Sequence, residues 1–128
     1  MNKLSSLYIL FFTLALSGCD NDRIIELEWI VENNSEGIIN ITSKLPFETE
    51  TEFNSISTQT ELLLFTDEWI STPEDVIEEA AVIFETLLIR NDQGLPIQKN
   101  VLATIEWIKW EANDDTVRFI LRVRNDDF

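Results

Sequence analysis

Carboxylates are the only side chains in this chain with both the chemistry and the number to catalyse a reaction. The 128 residues include 24 Asp and Glu and no histidine, which removes the commonest general base, the commonest metal ligand and the histidine-dependent hydrolase triads. With one cysteine and three separate glycines, the chain also lacks Cys/His zinc sites and glycine-rich phosphate loops. What remains is a glycosidase-like pair of acids, about 5 to 10 Å apart, with one pKa raised by burial.

Four pairs of adjacent acids are the candidates for such a pair. They are Asp67–Glu68, Glu74–Asp75, Glu78–Glu79 and Asp114–Asp115. Their positions on a helix face, beside its cap or in a turn are typical of solvated charges, so we predict no catalytic residue and no enzyme. The Asp/Asn-rich turn at 113–115 lacks the spaced oxygen ligands of a dedicated calcium site, so we also predict no metal and no cofactor.

The first 18 residues have the layout of an export signal. Lys3 precedes an apolar run at 7–16 that is too short to span a bilayer, and Leu16-Ser17-Gly18-Cys19 follows directly. These four residues resemble the lipobox of bacterial lipoproteins, in which the signal is cut before the cysteine and lipid is attached to the cysteine sulfur. Cys19 has no other cysteine in the chain with which to form a disulfide.

The resemblance implies a chain in three parts: a signal peptide (1–18), a lipidated cysteine with a short tether (19–23) and one acidic globular domain (24–128). Two or three acyl chains hold a protein firmly on a membrane. Asp20-Asn21 resembles the inner-membrane retention signal of enteric bacteria. We therefore expect an extracytoplasmic, lipid-anchored protein on the periplasmic face of the inner membrane, with the outer membrane or the cell surface as the alternative.

The net charge of −15 limits the kinds of partner. Binding of nucleic acid requires a basic face that displaces counterions, so we predict no nucleic-acid partner. A basic protein or basic peptide fits this charge best, although acidity also supports solubility alone.

Alternation of apolar and polar residues predicts most of the chain to be β-strand. The expected strands are 24–32, 38–43, 47–53, 60–66, 101–111 and 116–124, with 24–32 and 38–43 joined as a hairpin. The last of these has the clearest pattern, with Val117, Phe119, Leu121 and Val123 inward. Arg118, Arg122 and Arg124 would face outward and pair with glutamates of neighbouring strands, among them Glu26, Glu28, Glu48, Glu50 and Glu52.

One helix is expected after Ser71-Thr72-Pro73. Pro73 and the acids behind it suit a first turn, and apolar residues from Ile77 to Leu88 follow helical spacing. The fold class predicted is therefore α+β, an antiparallel sheet of about six strands packed on one helix. The β-branched residues at 82, 83 and 89 leave a second reading open, in which 81–89 is a strand of a small all-β sandwich.

Two groups of residues suggest where a protein partner would bind. Ile108 and Trp110 share the strand face opposite Trp107, with Trp69 just before the expected helix, and form an apolar patch unless a second layer covers them. Glu48, Glu50 and Glu52 would form an acidic strand face. We predict a non-catalytic binding module for a basic protein or peptide, similar in type to inhibitor or immunity lipoproteins. The alternative is an accessory subunit of an envelope complex, docked through the tryptophan patch.

Overall fold

The computed structural model describes residues 23–128; the predicted export signal, the predicted lipidation site Cys19, and Asp20 and Asn21 lie outside the described residues. Seven strands follow one another: β1 Arg23–Asn33, β2 Ile39–Lys44, β3 Glu52–Ile56, β4 Thr60–Ser71, β5 Thr86–Asn91, β6 Trp107–Asn113 and β7 Thr116–Val123. Short 3₁₀ helices occupy Pro73–Asp75, Glu78–Ala81, Thr104–Glu106 and Asn125–Asp127. Residues 23–128 contain no helix of the length and apolar character needed to cross a membrane.

The strands form two sheets whose inner faces share one core. The four-stranded sheet has the order β4-β1-β7-β6, and the three-stranded sheet has the order β3-β2-β5. β1 is central: it pairs with β4 in antiparallel fashion and with β7 in parallel. The core joins Ile25, Leu27 and Trp29 of the first sheet to Ile39 and Ile41 of the second, so each sheet buries the apolar face of the other.

The expected strand at 116–124 is confirmed as β7, and its four inward residues are fully buried. Ile120, predicted to face outward, is also buried. It lies on the outer face of the sheet, between Ile30 of β1 and Ile108 of β6. Neighbouring side chains therefore cover it even though the core does not.

The predicted α+β fold with one packed helix is wrong. Residues 73–81 form two 3₁₀ turns, and 86–91 form β5, which pairs with β2. The buried residues Ala80, Ala81, Phe84 and Leu87 fit helical spacing, but the same spacing is met by a turn that runs into a strand. Ile89 is buried and Leu88 exposed, the alternation of a strand, and β-branched side chains favour that backbone. The described residues correspond to the all-β alternative.

The expected hairpin of 24–32 with 38–43 is also wrong, because β1 and β2 belong to different sheets. The turn between them is held by Asn33, which is fully buried. Its amide nitrogen donates to the carbonyls of Gly37 (2.8 Å) and Ile56 (3.2 Å), and its side-chain oxygen accepts from Ser35. These bonds satisfy a buried amide and make the turn a crossover between the sheets.

Two other expected strands are shorter than predicted. Of 47–53, only Glu52 and Phe53 lie in β3, and of 101–111, only the part from Trp107 onward lies in β6. Pro46 precedes a loop in the first case. In the second, the 3₁₀ helix Thr104–Glu106 leads into the strand, and the Trp107 indole donates to the carbonyl of Val101 across that turn (2.8 Å).

Candidate functional site

The predicted tryptophan patch is divided by the structure. Ile108 and Trp110 lie on the outer face of the four-stranded sheet and are about half exposed, 43% and 52%. The Arg118 guanidinium lies over the Trp110 ring, 5.9 Å from its centroid. Trp69 lies on β4, at the opposite edge of this sheet, where it is paired with Ile25 of β1. It therefore does not belong to the same patch.

An apolar row crosses the outer face of the four-stranded sheet. The strand registers place Leu63 opposite Ile30, Ile30 opposite Ile120, and Ile120 opposite Ile108. The two central residues are buried and the two at the ends are exposed. Ion pairs flank the row: Glu28 with Arg118 at 2.7 Å and Glu32 with Arg122 at 3.5 Å. The expected pairing of strand glutamates with arginines is thus confirmed for Glu28.

Glu48, Glu50 and Glu52 do not form a strand face. Glu48 and Glu50 lie in the loop before β3, and Glu52 is its first residue. The Glu48 carboxylate accepts the backbone N–H of Leu45 (2.9 Å), which closes a turn. None of the three has an ion-pair partner among the described residues, so their predicted pairing with arginines is wrong.

The four acid pairs considered for catalysis are exposed and dispersed over the surface. In residues 23–128, no group of three or more His, Cys, Asp or Glu is arranged to hold a metal ion. The pKa of Glu26 is raised above its ordinary value by hydrogen bonding to Glu28, by partial loss of hydration, and by repulsion from Glu28 and Glu68. Glu26 is exposed on the sheet surface, outside any cleft that would hold a substrate.

A pocket of about 410 Å³ opens at the β4 edge of the four-stranded sheet. It is lined mainly by aromatic and aliphatic side chains: Trp29, Leu45, Pro46, Phe47, Phe65, Asp67, Trp69 and Ile83. We call it the aromatic pocket. Trp29 comes from the central strand β1, while β4 and the loops at 45–47 and 83 provide the remaining walls.

The rings of the aromatic pocket form a connected set. The Trp29 ring lies 5.5 Å from the Phe65 ring, tilted by 39°, and Phe65 lies 5.9 Å from Phe47, tilted by 53°. On its other side Trp29 stacks on Phe119 of the core at 5.5 Å. Phe47 is 73% exposed, so the set runs from the core outward to solvent.

Of the two tryptophans that line the pocket, one has a hydrogen-bond partner for its indole nitrogen and the other has none among the described residues. The Trp69 indole nitrogen donates to the Asp67 carboxylate (3.0 Å), which also accepts the backbone N–H of Glu68 (2.9 Å). The Trp29 indole nitrogen is buried and has no acceptor within residues 23–128. A buried donor without an acceptor costs about 1–3 kcal/mol.

The pocket lies within a strongly acidic part of the chain. Residues 45–84 contain ten Asp and Glu and no Lys or Arg, and we call them the acidic segment. Seven of the eight lining residues belong to it. Its ten carboxylates form no ion pair within the described part of the chain. The preceding base, Lys44, is paired with Glu85 at 3.1 Å.

Sequence reasoning singled out Trp69 but missed its neighbours in this pocket. Trp29 and Phe65 are 36 residues apart in the chain and adjacent only because β1 pairs with β4. The signal available in the sequence was the absence of any base from residue 45 to residue 84. No family model, no curated protein and no solved structure matches this chain.

Proposed function

We propose that this chain is a lipid-anchored bacterial envelope protein whose domain binds a basic protein or peptide without catalysis. The observation that carries the proposal is an aromatic pocket set in an acidic segment whose ten carboxylates have no basic partner within residues 23–128. Aromatic side chains in a concave site supply binding energy, and unmatched charge draws an oppositely charged partner.

Most carboxylates of this domain are available to a partner because few of them form ion pairs within the described residues. Residues 23–128 carry 22 acidic and eight basic side chains. Six of the eight bases are already in ion pairs with acids of the chain. The surplus therefore consists of carboxylates, and a basic surface that approached them would be attracted over about a Debye length, 8 to 10 Å at physiological salt.

The anchor proposed at Cys19 would place this domain close to a membrane surface. The basic partner would then be a protein or peptide of the cell envelope, on the periplasmic face of the inner membrane under enteric-type sorting. The same binding module would suit the outer membrane or the cell surface, because its recognition of a basic partner depends on charge and pocket alone.

The test is a pull-down from envelope extract with the full chain in non-ionic detergent, washed first at 0.1 M and then at 1 M salt. At 1 M the Debye length falls to about 3 Å, so we expect a basic protein that is retained at low salt and released at high salt. The matched bait carries Glu48→Gln, Glu50→Gln and Glu52→Gln and should retain much less of it. Equal retention by both baits would contradict the proposal.

A second function is favoured by the apolar row from Leu63 to Ile108 and the half-exposed Trp110. An accessory subunit docked through this outer face would hold its partner at 1 M salt, because apolar contacts are not screened. Such a partner should be lost with Trp110→Ala and kept with the three Glu→Gln changes.

A further inference from the structure

The aromatic pocket combines three properties that together specify one kind of ligand group, and this inference rests on the proposed function. Its walls are the rings of Trp29, Phe47, Phe65 and Trp69. A carboxylate, Asp67, stands among them, and the acidic segment that builds most of the pocket contains no base. An uncharged ligand would use the rings but would gain no charge–charge attraction from the carboxylates.

We propose that the aromatic pocket is the subsite that holds one arginine or lysine side chain of the basic partner. A guanidinium or ammonium group over an aromatic face, within about 6 Å of its centroid, is attracted to the negative face of the ring. The attraction grows from about 0.5–1 kcal/mol at exposed sites to about 2 when water is displaced. Long aliphatic stems of Arg and Lys also pack well on apolar walls such as Leu45 and Ile83.

Asp67 fixes the geometry of this subsite. Its carboxylate accepts the Trp69 indole N–H at 3.0 Å and the Glu68 backbone N–H at 2.9 Å. These two bonds hold both the carboxylate and the Trp69 ring in place before any ligand arrives. An ionised carboxylate has about four lone-pair positions, so Asp67 can still accept from an incoming cation.

Trp29 forms the inner end of the pocket, since it lines the pocket but is only 1% exposed. Its indole nitrogen is buried and has no acceptor within residues 23–128. A bound cation has only donors and would leave this nitrogen unsatisfied. The cation is therefore held by the rings and by Asp67.

The subsite is tested with a small probe, so that the test does not depend on finding the natural partner. N-acetyl-arginine methylamide, which carries both the cation and backbone carbonyls, is titrated into the ¹⁵N-labelled full chain in non-ionic detergent. We expect saturable shifts of the Trp29 and Trp69 indole N–H resonances, with a millimolar dissociation constant. The Trp110 resonance, on the other face, should not move.

Two further probes separate charge from shape. N-acetyl-citrulline methylamide has the shape of the arginine probe without its charge, and N-acetyl-norleucine methylamide is purely apolar. We expect each to bind at least about fivefold more weakly, as the loss of a cation–π contact predicts. Equal or tighter binding of either neutral probe would overturn the proposal, as would an absence of shifts with the arginine probe.

Phe47 and Phe53 form a matched pair of variants. Both are exposed, at 73% and 67%, and both lie in the acidic segment, but only Phe47 lines the pocket. Phe47→Ala should weaken the arginine probe about three- to fivefold, and Phe53→Ala less than about twofold. Equal effects of the two variants would contradict the assignment.

The two proposals fail in different ways. If the arginine probe binds as expected but no basic protein is recovered from the envelope, the subsite stands and the proposed function fails. If a salt-sensitive basic protein is recovered while the arginine probe causes no shift of the Trp29 and Trp69 indole resonances, the proposed function stands and the subsite fails.

Discussion

The two strands beside the central strand β1 place opposite kinds of charge across from its glutamates. Toward β7, Glu28 lies opposite Arg118 and Glu32 opposite Arg122, and both pairs are in contact. Toward β4, Glu26 lies opposite Glu68 and Glu32 opposite Glu61. Opposite charges across a strand pair stabilise a sheet, and like charges destabilise it.

This difference distinguishes carboxylates that stabilise the sheet through ion pairs from carboxylates that face another carboxylate. On the β7 side, the carboxylates have partners within the chain and contribute to the sheet. On the β4 side, like charges face each other and weaken the strand pair, while β1 is held by its buried core residues and β4 contributes only partly buried side chains to that core.

The largest effect should come from the core beneath the paired side. Phe119 of β7 is fully buried against Trp29, so Phe119→Ala should lower the free energy of unfolding by about 3–5 kcal/mol. Phe47→Ala, in the exposed wall of the aromatic pocket, should lower it by less than about 1 kcal/mol. Urea denaturation of the two variants measures both. Similar losses would mean that the pocket wall is part of the core.

Removing a carboxylate from the β1–β7 pair should lower stability, whereas removing one from the β1–β4 pair should not. Glu28→Gln leaves Arg118 without its 2.7 Å partner and should destabilise the protein by about 1–2 kcal/mol, part of the charge-assisted bond being screened by solvent. Glu68→Gln removes a like-charge contact with Glu26 and should leave stability unchanged or slightly raised. Thermal unfolding at low salt measures both, and a loss of stability in both variants would refute the comparison.

Neutralising the acidic segment should slow capture of a cation more than neutralising acids elsewhere. The triple variant Glu48→Gln, Glu50→Gln, Glu52→Gln should reduce the association rate of a labelled nine-lysine peptide by about tenfold at low salt. A control with the same change in net charge combines Glu111→Gln, Asp114→Asn and Asp126→Asn, and should reduce it by about two- to threefold. Stopped-flow fluorescence gives both rates. Equal reductions would show that only net charge matters.

The smallest effect should be at Glu26, whose pKa is raised above its ordinary value of 4.5. A carboxyl with a raised folded-state pKa binds its proton more tightly in the folded state, so stability falls as pH rises through the interval above 4.5. Glu26→Gln should therefore raise the melting temperature slightly at pH 7 and not at all below pH 4.5. A difference of the same size at both pH values would contradict the repulsion from Glu28 and Glu68.

Local patterning predicted those elements that local forces decide. The alternation at 116–124 identified β7 and its buried face, because a strand with one face on the core repeats every second residue. The stretch at 73–91 was misassigned, because Ala80, Ala81, Phe84 and Leu87 satisfy helical spacing while a 3₁₀ turn followed by β5 buries the same residues. Pairing of β5 with β2, about 47 residues away in the chain, is a tertiary contact that no local window contains.

The candidate site was predictable only in part, for the same reason. The sequence predicted Trp69 and the acids at 48, 50 and 52 as partner-binding residues, but the neighbours it predicted for each of them were wrong. Trp69 meets Phe47 and Trp29 in the aromatic pocket instead of Trp110. The glutamates lie in and beside a loop without cations instead of facing arginines.

By itself, the sequence determined the charge, the lack of histidine chemistry and the 40-residue stretch without a base, because composition and order along the chain need no folding to be read. The tertiary structure decided that β1 lies between a complementary neighbour and a repulsive one, and that four aromatic rings from distant positions line one pocket. Strand order and register are set by which apolar faces bury each other best, a sum over the whole domain. For that reason, the unmatched charge was visible in the sequence, while the pocket that the same segment mostly builds became visible only in the fold.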